Sequence, residues 1–247
     1  MYLIENWATG LHPGSLNSGE LHLWHIELDK PADTLADLLS PDEQERAERL
    51  LDQQGQQRFI HARSALRIIL GKYLDIAPGE LAFGYGEHGK PFVQDPATDL
   101  CFNLTHSHEL ALLAITRQAE VGIDLERPQA RPNAQAIARR LFDETIQHEL
   151  DKLEGSALTQ AFYQHWTAHE AAIKTLGSGI FQGDEQGNDS SPDVMNFIPS
   201  EGWLAAVAIS TKLPPPSAWK TFEYSILGFA DQGLAFDVAV HLGSLLA

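Results

Sequence analysis

Two neighbouring runs decide the fold: Leu110-Ala111-Leu112-Leu113-Ala114-Ile115-Thr116 and, after a polar turn at 117–120, Val121-Gly122-Ile123-Asp124-Leu125-Glu126. The first run is apolar up to its last residue and predicts a buried strand, and the short turn predicts a hairpin between the two runs. Because the side chains of a strand alternate between its faces, Asp124 and Glu126 should emerge on one side, about 7 Å apart along the strand. Two carboxylates should therefore face a common point.

A third run, Trp166-Thr167-Ala168-His169-Glu170-Ala171-Ala172-Ile173-Lys174, predicts a helix with a further carboxylate. Apolar side chains recur at spacings of three, four and seven residues and should form one stripe: Phe162, Trp166, Ile173 and Leu176. Glu170 and Lys174 should lie one turn apart at the border of this stripe, which is also the pattern of an ordinary surface ion pair. With Asp124 and Glu126 they make a set of three carboxylates and one ammonium, which suits a metal ion that holds a phosphate.

Four motifs occur in order between residues 89 and 174. They are Gly89-Lys90-Pro91, Phe102-Asn103-Leu104-Thr105-His106-Ser107, Gly122-Ile123-Asp124-Leu125-Glu126 and the run from Trp166 to Lys174. In these motifs the chain resembles the Sfp-type 4′-phosphopantetheinyl transferases, which move phosphopantetheine from coenzyme A onto a serine of a carrier protein. The resemblance covers roughly residues 20 to 230 and weakens after Gly179. His169 departs from it, because the family has a lysine at this place.

The resemblance implies a metal-assisted transfer. Mg²⁺, or Mn²⁺ as the alternative, would be held by Asp124, Glu126 and Glu170, and Lys174 would contact the phosphate. Glu170, or a metal-bound water beside it, would accept the proton of the carrier serine, and the products would be the holo-carrier protein and 3′,5′-ADP. Three outcomes follow for His169: it would serve as a weaker cation than lysine or as a general base, activity would gain an unusual pH dependence, or turnover would be low.

The same resemblance implies a binding site for coenzyme A as co-substrate. Between positions 46 and 72 the chain has six basic residues against two acidic ones, which is also compatible with a solvated basic helix: Arg46, Arg49, Arg58, Arg63, Arg67 and Lys72. Arg46 and either Arg58 or Arg63 would contact the 3′-phosphate. Arg58 aligns with an arginine of the family at that site, and Arg63 is the alternative.

Two further motifs belong to this expected nucleotide site. Lys90 and Pro91 would lie at the nucleotide end, and Thr105 and His106 at the 3′-phosphate or the adenine. Gly-Lys-Pro is also a common turn sequence. His106 and His108 together would suit zinc, but they lack a third neighbouring soft ligand.

The order of predicted elements indicates an α+β fold. Helices are expected at 41–54, 57–74, 134–141, 143–153 and 157–176, and strands at 21–28, 81–84, 102–105, 110–116, 121–126, 194–198, 203–210, 220–228 and 234–241. Ser40, Pro41 and Glu43 predict a capping box at the start of the first helix. The glycine-rich segment from Gly177 to Pro199 predicts a loop. In the family the surface next to this segment faces the carrier protein.

Helices followed by antiparallel strands occur twice, which predicts two similar lobes, 1–118 and 119–247. Each lobe should consist of helices packed on an antiparallel sheet. The resemblance implies that the active site lies in the crevice between the lobes. Because one chain can then build the whole crevice, we expect a monomer.

Composition restricts the class of protein. The net charge of −17 over 247 residues argues against nucleic acid as a partner, because binding a polyanion relies on clustered lysine and arginine. The single cysteine, Cys101, excludes an internal disulfide and suits a reducing cytoplasm. We expect no signal peptide and no membrane segment, since the longest apolar run, Trp203 to Ile209, has seven residues.

Two other functions stay compatible with the sequence. One is a catalytically weak or inactive protein of the same fold that binds coenzyme A or a carrier protein, an idea that rests on His169. The other is an unrelated α+β domain with accidental motif matches. An active enzyme would serve the acyl or peptidyl carriers, themselves acidic, of fatty acid, polyketide or nonribosomal peptide synthesis.

Overall fold

A computed structural model describes residues 1–9, 13–30, 33–177 and 191–225 of the chain. The fold is α+β, as predicted. The helices are α1 (Pro41–Glu48), α2 (Gln53–Leu74), α3 (Ala134–Leu141), α4 (Glu144–Leu150) and α5 (Gly155–Leu176). The strands are β1 (Tyr2–Leu3), β2 (Ala8–Thr9), β3 (His22–Glu27), β4 (Ala82–Tyr85), β5 (Pro91–Asp95), β6 (Leu100–Ser107), β7 (Leu110–Arg117), β8 (Val121–Glu126), β9 (Asp193–Ile198), β10 (Leu204–Ile209) and β11 (Lys220–Tyr224).

Most predicted elements are confirmed, with ends shifted by a few residues. The predicted strand 234–241, residues 226–228 of the predicted strand 220–228 and residues 178–190 of the predicted loop lie outside the described residues. Strands β1, β2 and β5 were not predicted. Strand β5 begins inside the Gly-Lys-Pro motif and pairs with β4, so that Gly89 lies in the hairpin turn with a φ of 78°. None of the described helices is at once long enough and apolar enough to cross a membrane.

Two sheets and two long helices form four layers. The five-stranded sheet has the order β2-β11-β3-β7-β6, and the four-stranded sheet has the order β1-β9-β10-β8. Helix α2 packs Leu66 and Ile69 on one face of the five-stranded sheet. The other face of that sheet packs on the four-stranded sheet, through residues such as Leu112 and Ile123. Helix α5 covers the outer face of the four-stranded sheet.

Strand β7 is the centre of this arrangement. It lies between α2 and the second sheet, and every residue from Leu110 to Thr116 is buried. A strand covered on both faces needs an apolar sequence throughout rather than an alternating one. The predicted buried strand is therefore confirmed.

The predicted hairpin between β7 and β8 is wrong. Both edges of β7 are already paired, with β3 and with β6, so no edge is available to β8. The chain instead crosses to the other sheet through residues 118–120, with Gln118 at a φ of 64°, and β8 pairs antiparallel with β10. The side chain of Asn103 in β6 links the two sheets, because its Oδ1 accepts a hydrogen bond of 2.9 Å from the backbone N–H of Ile123.

Each of the two large sheets contains strands from both ends of the described chain. Strand β1 pairs parallel with β9, and β11 pairs parallel with β3. Both sheets are therefore mixed, and the prediction of purely antiparallel sheets is wrong. These two pairings cross the boundary between 118 and 119 that the sequence suggested. The division into two lobes therefore stays a prediction.

A buried histidine makes the fold sensitive to acid. His22 has no exposed surface, and its Nδ1 lies 2.7 Å from the hydroxyl of Tyr73. The Trp24 indole donates a 3.1 Å hydrogen bond to the same oxygen, which leaves the Tyr73 hydroxyl free to donate to a neutral imidazole. Burial is the main cause that lowers the pKa of His22 from 6.5 to about 4, and the charge of Lys220 lowers it further.

This environment predicts a loss of stability in acid. The neutral ring is favoured in the folded state, so the contribution of His22 is complete above pH 6.5 and is lost as the pH falls towards 4. Relative to His22→Gln, the free energy of unfolding of the wild type should fall by about 3 kcal/mol over this window. Urea titrations of both proteins at several pH values measure it. Parallel pH profiles would contradict the assignment.

Candidate active site

The site is built where α5 approaches β8. Gly122 faces the helix, and a Cβ at this position would lie 2.6 Å from the backbone nitrogen of Thr175 and would overlap the carbonyl oxygen of Ala171. Ala171 also packs against Ala206 and Ala208 of β10. Small residues on both elements therefore let the backbone of the helix come close to the strand.

This approach buries the face of α5 that carries Glu170. Glu170 is 8% exposed and Asp124 is 6% exposed. The apolar stripe predicted for α5 is wrong at its end, because Leu176 is 52% exposed. At the start of the helix the stripe is confirmed, because Phe162 is fully buried. Further along, the buried face follows Thr167, Glu170, Ala171 and Thr175, since close packing on the strand requires short side chains there.

Lys174 joins the helix to both sheets. Its Nζ donates to Oδ1 of Asp124 at 2.6 Å and to the carbonyl oxygen of Ile123 at 3.3 Å in β8. It also lies 3.4 Å from Oγ1 of Thr105 in β6. In the described part of the chain, Asp124 is the carboxylate within ion-pair distance of Lys174, so the simple pair with Glu170 is not formed.

The three carboxylates share one electrostatic environment. Burial is the main cause that raises the pKa of Glu170, and the charges of Asp124 and Glu126 raise it further. The charge of Lys174 lowers it. Burial and the charge of Asp124 also raise the pKa of Glu126. The pKa of Glu126 is lowered by the charge of Arg131, by a hydrogen bond from Trp166 and by the charge of Lys174. Asp124 and Glu126 both influence Glu170, which agrees with their predicted position on the same face of β8.

Two carboxylate oxygens of the site have no hydrogen-bond partner among the described residues. In the part of the chain that the structure describes, Oδ2 of Asp124 and Oε1 of Glu170 are buried without a hydrogen-bond partner. Such atoms are costly unless something compensates them. Hard oxygen donors of this kind fit a divalent cation such as Mg²⁺. The described residues nevertheless contain no group of three ligands already close enough together to hold a metal ion, so the three side chains would have to converge.

Several predicted coenzyme A residues gather near Lys174. The pKa of His106 is lowered by partial burial and then by the charges of Lys174, Arg58 and Arg46, although the residue reaches the surface. Arg58 makes a bidentate ion pair with Asp29: its Nε donates to Oδ1 at 2.6 Å and its Nη2 donates to Oδ2 at 2.8 Å. The guanidinium of Arg46 lies 5.5 Å from the ring of Phe59.

Arg63 is engaged inside the fold. Its guanidinium and that of Arg67 both bind the buried carboxylate of Glu43, and both lie about 5 Å from the ring of Phe83. The backbone N–H of Ser40 donates to the same carboxylate at 3.0 Å, which confirms the predicted capping box. Glu43 thus links the start of α1 to the middle of α2.

Lys90 and Pro91 lie at a different place. They line a pocket of about 390 Å³, together with Phe92, Cys101 and Glu120. Lys90 donates to Oε2 of Glu120 at 2.8 Å and to the carbonyl oxygen of Val121 at 3.0 Å. The lining of this pocket does not include the arginines or His106.

His169 packs against an aromatic ring. Its ring lies 5.9 Å from the ring of Phe142, next to the end of α3, and its Nε2 is buried without a partner among the described residues. Burial lowers its pKa and so favours the neutral form. The structure also adds a cation that the sequence did not suggest. Arg131 lies over the rings of Tyr163 and Trp166 and influences Glu126.

Comparisons with known proteins agree on one family. The family model of the 4′-phosphopantetheinyl transferase superfamily matches residues 120–223, which include the three carboxylates and Lys174. The chain is 34% identical over 222 residues to the 4′-phosphopantetheinyl transferase HetI of Nostoc sp., covering 83% of this chain and 94% of HetI. It is 26% identical over 165 residues to the 4′-phosphopantetheinyl transferase Sfp of Bacillus subtilis, covering 65% and 72%. It is 33% identical over 138 residues to the 4′-phosphopantetheinyl transferase gsp of Aneurinibacillus migulanus, covering 52% and 56%.

The contact at Gly122 predicts a large effect of a single methyl group. Gly122→Ala should reduce the free energy of unfolding by about 2–3 kcal/mol, because the added Cβ meets backbone atoms that cannot move without displacing α5. Gly79→Ala is the matched control, since a Cβ there meets nothing within 4 Å. Denaturant titrations compare the two variants. Equal effects would contradict the close contact.

The buried carboxylate of Glu43 predicts a second effect on stability. Glu43→Gln keeps an acceptor for the capping box but leaves Arg63 and Arg67 buried without their counter-charge, and should cost about 3–5 kcal/mol. Glu45→Gln on the same helix removes an exposed ion pair with Arg49 and should cost under about 0.5 kcal/mol. Thermal or urea unfolding distinguishes them. A small effect of Glu43→Gln would show that the two arginines do not depend on it.

Proposed function

Because this chain belongs to the 4′-phosphopantetheinyl transferase superfamily, we propose that it transfers the 4′-phosphopantetheine arm of coenzyme A to a serine of an acyl or peptidyl carrier protein. The observation that carries the proposal is the meeting of Asp124, Glu170 and Lys174 at the contact of β8 and α5. These residues lie inside the segment that the family model matches. They bring one ammonium together with two buried carboxylates, each of which has one oxygen without a hydrogen-bond partner among the described residues.

We propose that the active site lies in a crevice between two similar lobes, 1–118 and 119–247. Support comes from Lys174, which contacts Thr105 in the five-stranded sheet and Asp124 in the four-stranded sheet. Support for similar lobes comes from the helix that covers each sheet, α2 on one and α5 on the other. A crevice made by one chain is also the reason to propose a monomer. Cys101, the single cysteine, supports a reducing compartment such as the cytoplasm.

Asp124, Glu126 and Glu170 would hold a Mg²⁺ ion in this site. When bound, the ion would neutralise charge on the diphosphate of coenzyme A. The unpartnered oxygens of Asp124 and Glu170 support this assignment. The mutual repulsion of the three carboxylates also supports it, because a cation between them would relieve it.

Glu170, Lys174 and Asp124 would each have a separate role in the transfer. The serine oxygen attacks the phosphorus that carries the pantetheine arm, and the bond from this phosphorus to the bridging oxygen breaks. The electron pair of that bond leaves with 3′,5′-ADP. Glu170 accepts the serine proton, and Lys174 neutralises charge on the phosphate oxygens as a point charge. Asp124 holds the ammonium of Lys174 in place before the substrate arrives.

We assign the 3′-phosphate of coenzyme A to Arg46, Arg58, Thr105 and His106. The charges of Lys174, Arg58 and Arg46 all act on His106, and Thr105 lies 3.4 Å from Lys174. Arg58 is preferred to Arg63, because Arg63 is occupied by the buried carboxylate of Glu43 whereas Arg58 pairs with the exposed Asp29. Lys90 and Pro91 would contact the nucleotide end from their own pocket. Neutral His169 would not act as the cation that lysine provides in the family, so Lys174 and Arg131 would supply the positive charge.

Intact-mass analysis of an apo-carrier protein tests the proposal. Incubation with the protein, coenzyme A and Mg²⁺ should add the mass of one phosphopantetheine arm. Asp124→Asn and Glu170→Gln should each reduce kcat/KM by about 10²- to 10³-fold, the usual cost of losing one group that stabilises developing charge. Glu80→Gln is the control, because this carboxylate is exposed and lies outside the site.

The negative outcomes are distinguishable. Binding of coenzyme A without transfer to several different carriers would indicate a binding protein, and His169→Lys would then be the next variant. A protein that neither binds coenzyme A nor transfers the arm would refute the proposed function. Full activity of Asp124→Asn and Glu170→Gln would leave the transfer in place and remove the assigned residues.

A further inference from the structure

Strand β8 lies at an edge of the four-stranded sheet, where β10 pairs with one side of it. The other side of an edge strand presents backbone groups that need partners outside its own sheet. On this side the partners are side chains. Asn103 accepts the N–H of Ile123 at 2.9 Å, and Lys174 donates to the carbonyl oxygen of Ile123 at 3.3 Å. Lys90 donates to the carbonyl oxygen of Val121 at 3.0 Å. Side chains from three elements therefore hold the strand that carries two of the carboxylates.

Lys90 reaches β8 from the hairpin of β4 and β5. Its side chain is 18% exposed, and it also donates at 2.8 Å to the carboxylate of Glu120, which is 56% exposed. The backbone of Glu120 is held by Ser210, just after β10. Its N–H donates to the Ser210 hydroxyl at 3.0 Å, and its carbonyl oxygen accepts the Ser210 N–H at 2.9 Å. Lys90 and Ser210 together fix the start of β8.

The two contacts of Lys90 differ in what they contribute. An ion pair with a half-exposed carboxylate adds under about 1 kcal/mol to stability, because water screens it. The hydrogen bond to Val121 constrains position, since it joins a mostly buried ammonium to the backbone three residues before Asp124. The value of Lys90 therefore lies in where it holds β8 more than in the strength of its ion pair.

The surroundings of Lys90 do not favour a phosphate. Its pocket is also lined by Glu120 and by the end of α5, from Thr175 to Gly177. The carbonyl groups at the end of a helix carry a partial negative charge, which favours a cation and disfavours an anion. Two of the three N–H donors of the ammonium are already used by Glu120 and Val121.

We propose that Lys90 is a positioning residue that fixes the start of β8, an inference that rests on the proposed function and gives this ammonium a role other than contact with the nucleotide. Lys174 holds the same edge of β8 in the structure, but in the proposed reaction it turns to the phosphate oxygens. Lys90 and Asn103 are then the side chains that keep the strand in place while the substrate binds. Pro91 remains to contact the nucleotide end from the same pocket.

Amide hydrogen exchange of the free protein, followed by mass spectrometry, tests the positioning directly. In Lys90→Met the amides of 121–126 should exchange about tenfold faster, and those of 110–116 in β7 should change by a much smaller factor, because only the edge of β8 is released. Glu120→Ala should give a smaller change in the same direction. Lys152→Met, at an exposed lysine between α4 and α5, is the control and should change neither segment.

Kinetics separate positioning from contact with the substrate. Lys90→Met should lower kcat for the transfer about tenfold, the usual cost of losing a group that orients ligating side chains, with KM for coenzyme A within about twofold of wild type. Lys90→Arg should restore most of kcat, since a guanidinium can still donate to both the carboxylate and the carbonyl oxygen. Glu120→Ala should lower kcat as well.

The contrary results are specific. A phosphate contact would raise KM for coenzyme A in Lys90→Met, whereas Glu120→Ala, which frees the ammonium, would leave KM unchanged or lower it. Unchanged exchange of β8 in both variants would overturn the positioning role. If Lys90→Met melts early, Glu120→Ala decides, because its carboxylate is half-exposed. An inactive wild type would refute the proposed function, and the exchange rates would still show whether Lys90 holds β8.

Discussion

The contact between α5 and β8 is the constraint on which the site depends. Gly122 leaves the backbone of β8 open to the carbonyl oxygen of Ala171 and to Thr175, and alanines continue the contact on β10. Only this short distance lets Lys174, near the end of the helix, reach Asp124 on the strand. The same contact buries Asp124 and Glu170 with oxygens that have no partner among the described residues, which costs stability. Such a cost is expected where a site is arranged for a ligand rather than for the fold alone.

The second feature that determines the site is the face-to-face packing of the two sheets. Strand β7 is buried on both faces and paired on both edges, so it forms the rigid centre of the molecule. The chain leaves it through residues 118–120 and enters the other sheet as β8. Asn103 then fixes β8 against β6 by accepting the N–H of Ile123. The motif residues of β6 and the carboxylates of β8 are thereby brought to the same place, although they belong to different sheets.

Positive charge is clustered in a molecule that is acidic overall. On our proposal, a protein with a net charge of −17 binds an anionic nucleotide. The arginines of the basic segment at 46–72 have different roles. Arg63 and Arg67 serve the fold by neutralising the buried Glu43, whereas Arg58 and Arg46 contribute positive potential around His106. The difference arises because folding places the buried carboxylate beside Arg63 and Arg67.

Local periodicity in the sequence is enough to predict the α+β class, the long helices, the buried strand β7 and the shared face of Asp124 and Glu126. The ordered motifs also identified the family. The remaining features depend on contacts that form only when the chain folds. Which strand pairs with β8 depends on which edges are free, and the two-residue strands β1 and β2 are too short to show a period and pair with partners far away in the chain. Whether Glu170 is buried depends on the small residues opposite it. Whether an arginine can bind a ligand depends on whether folding places a carboxylate beside it. These properties arise from contacts between distant segments, which no local pattern contains.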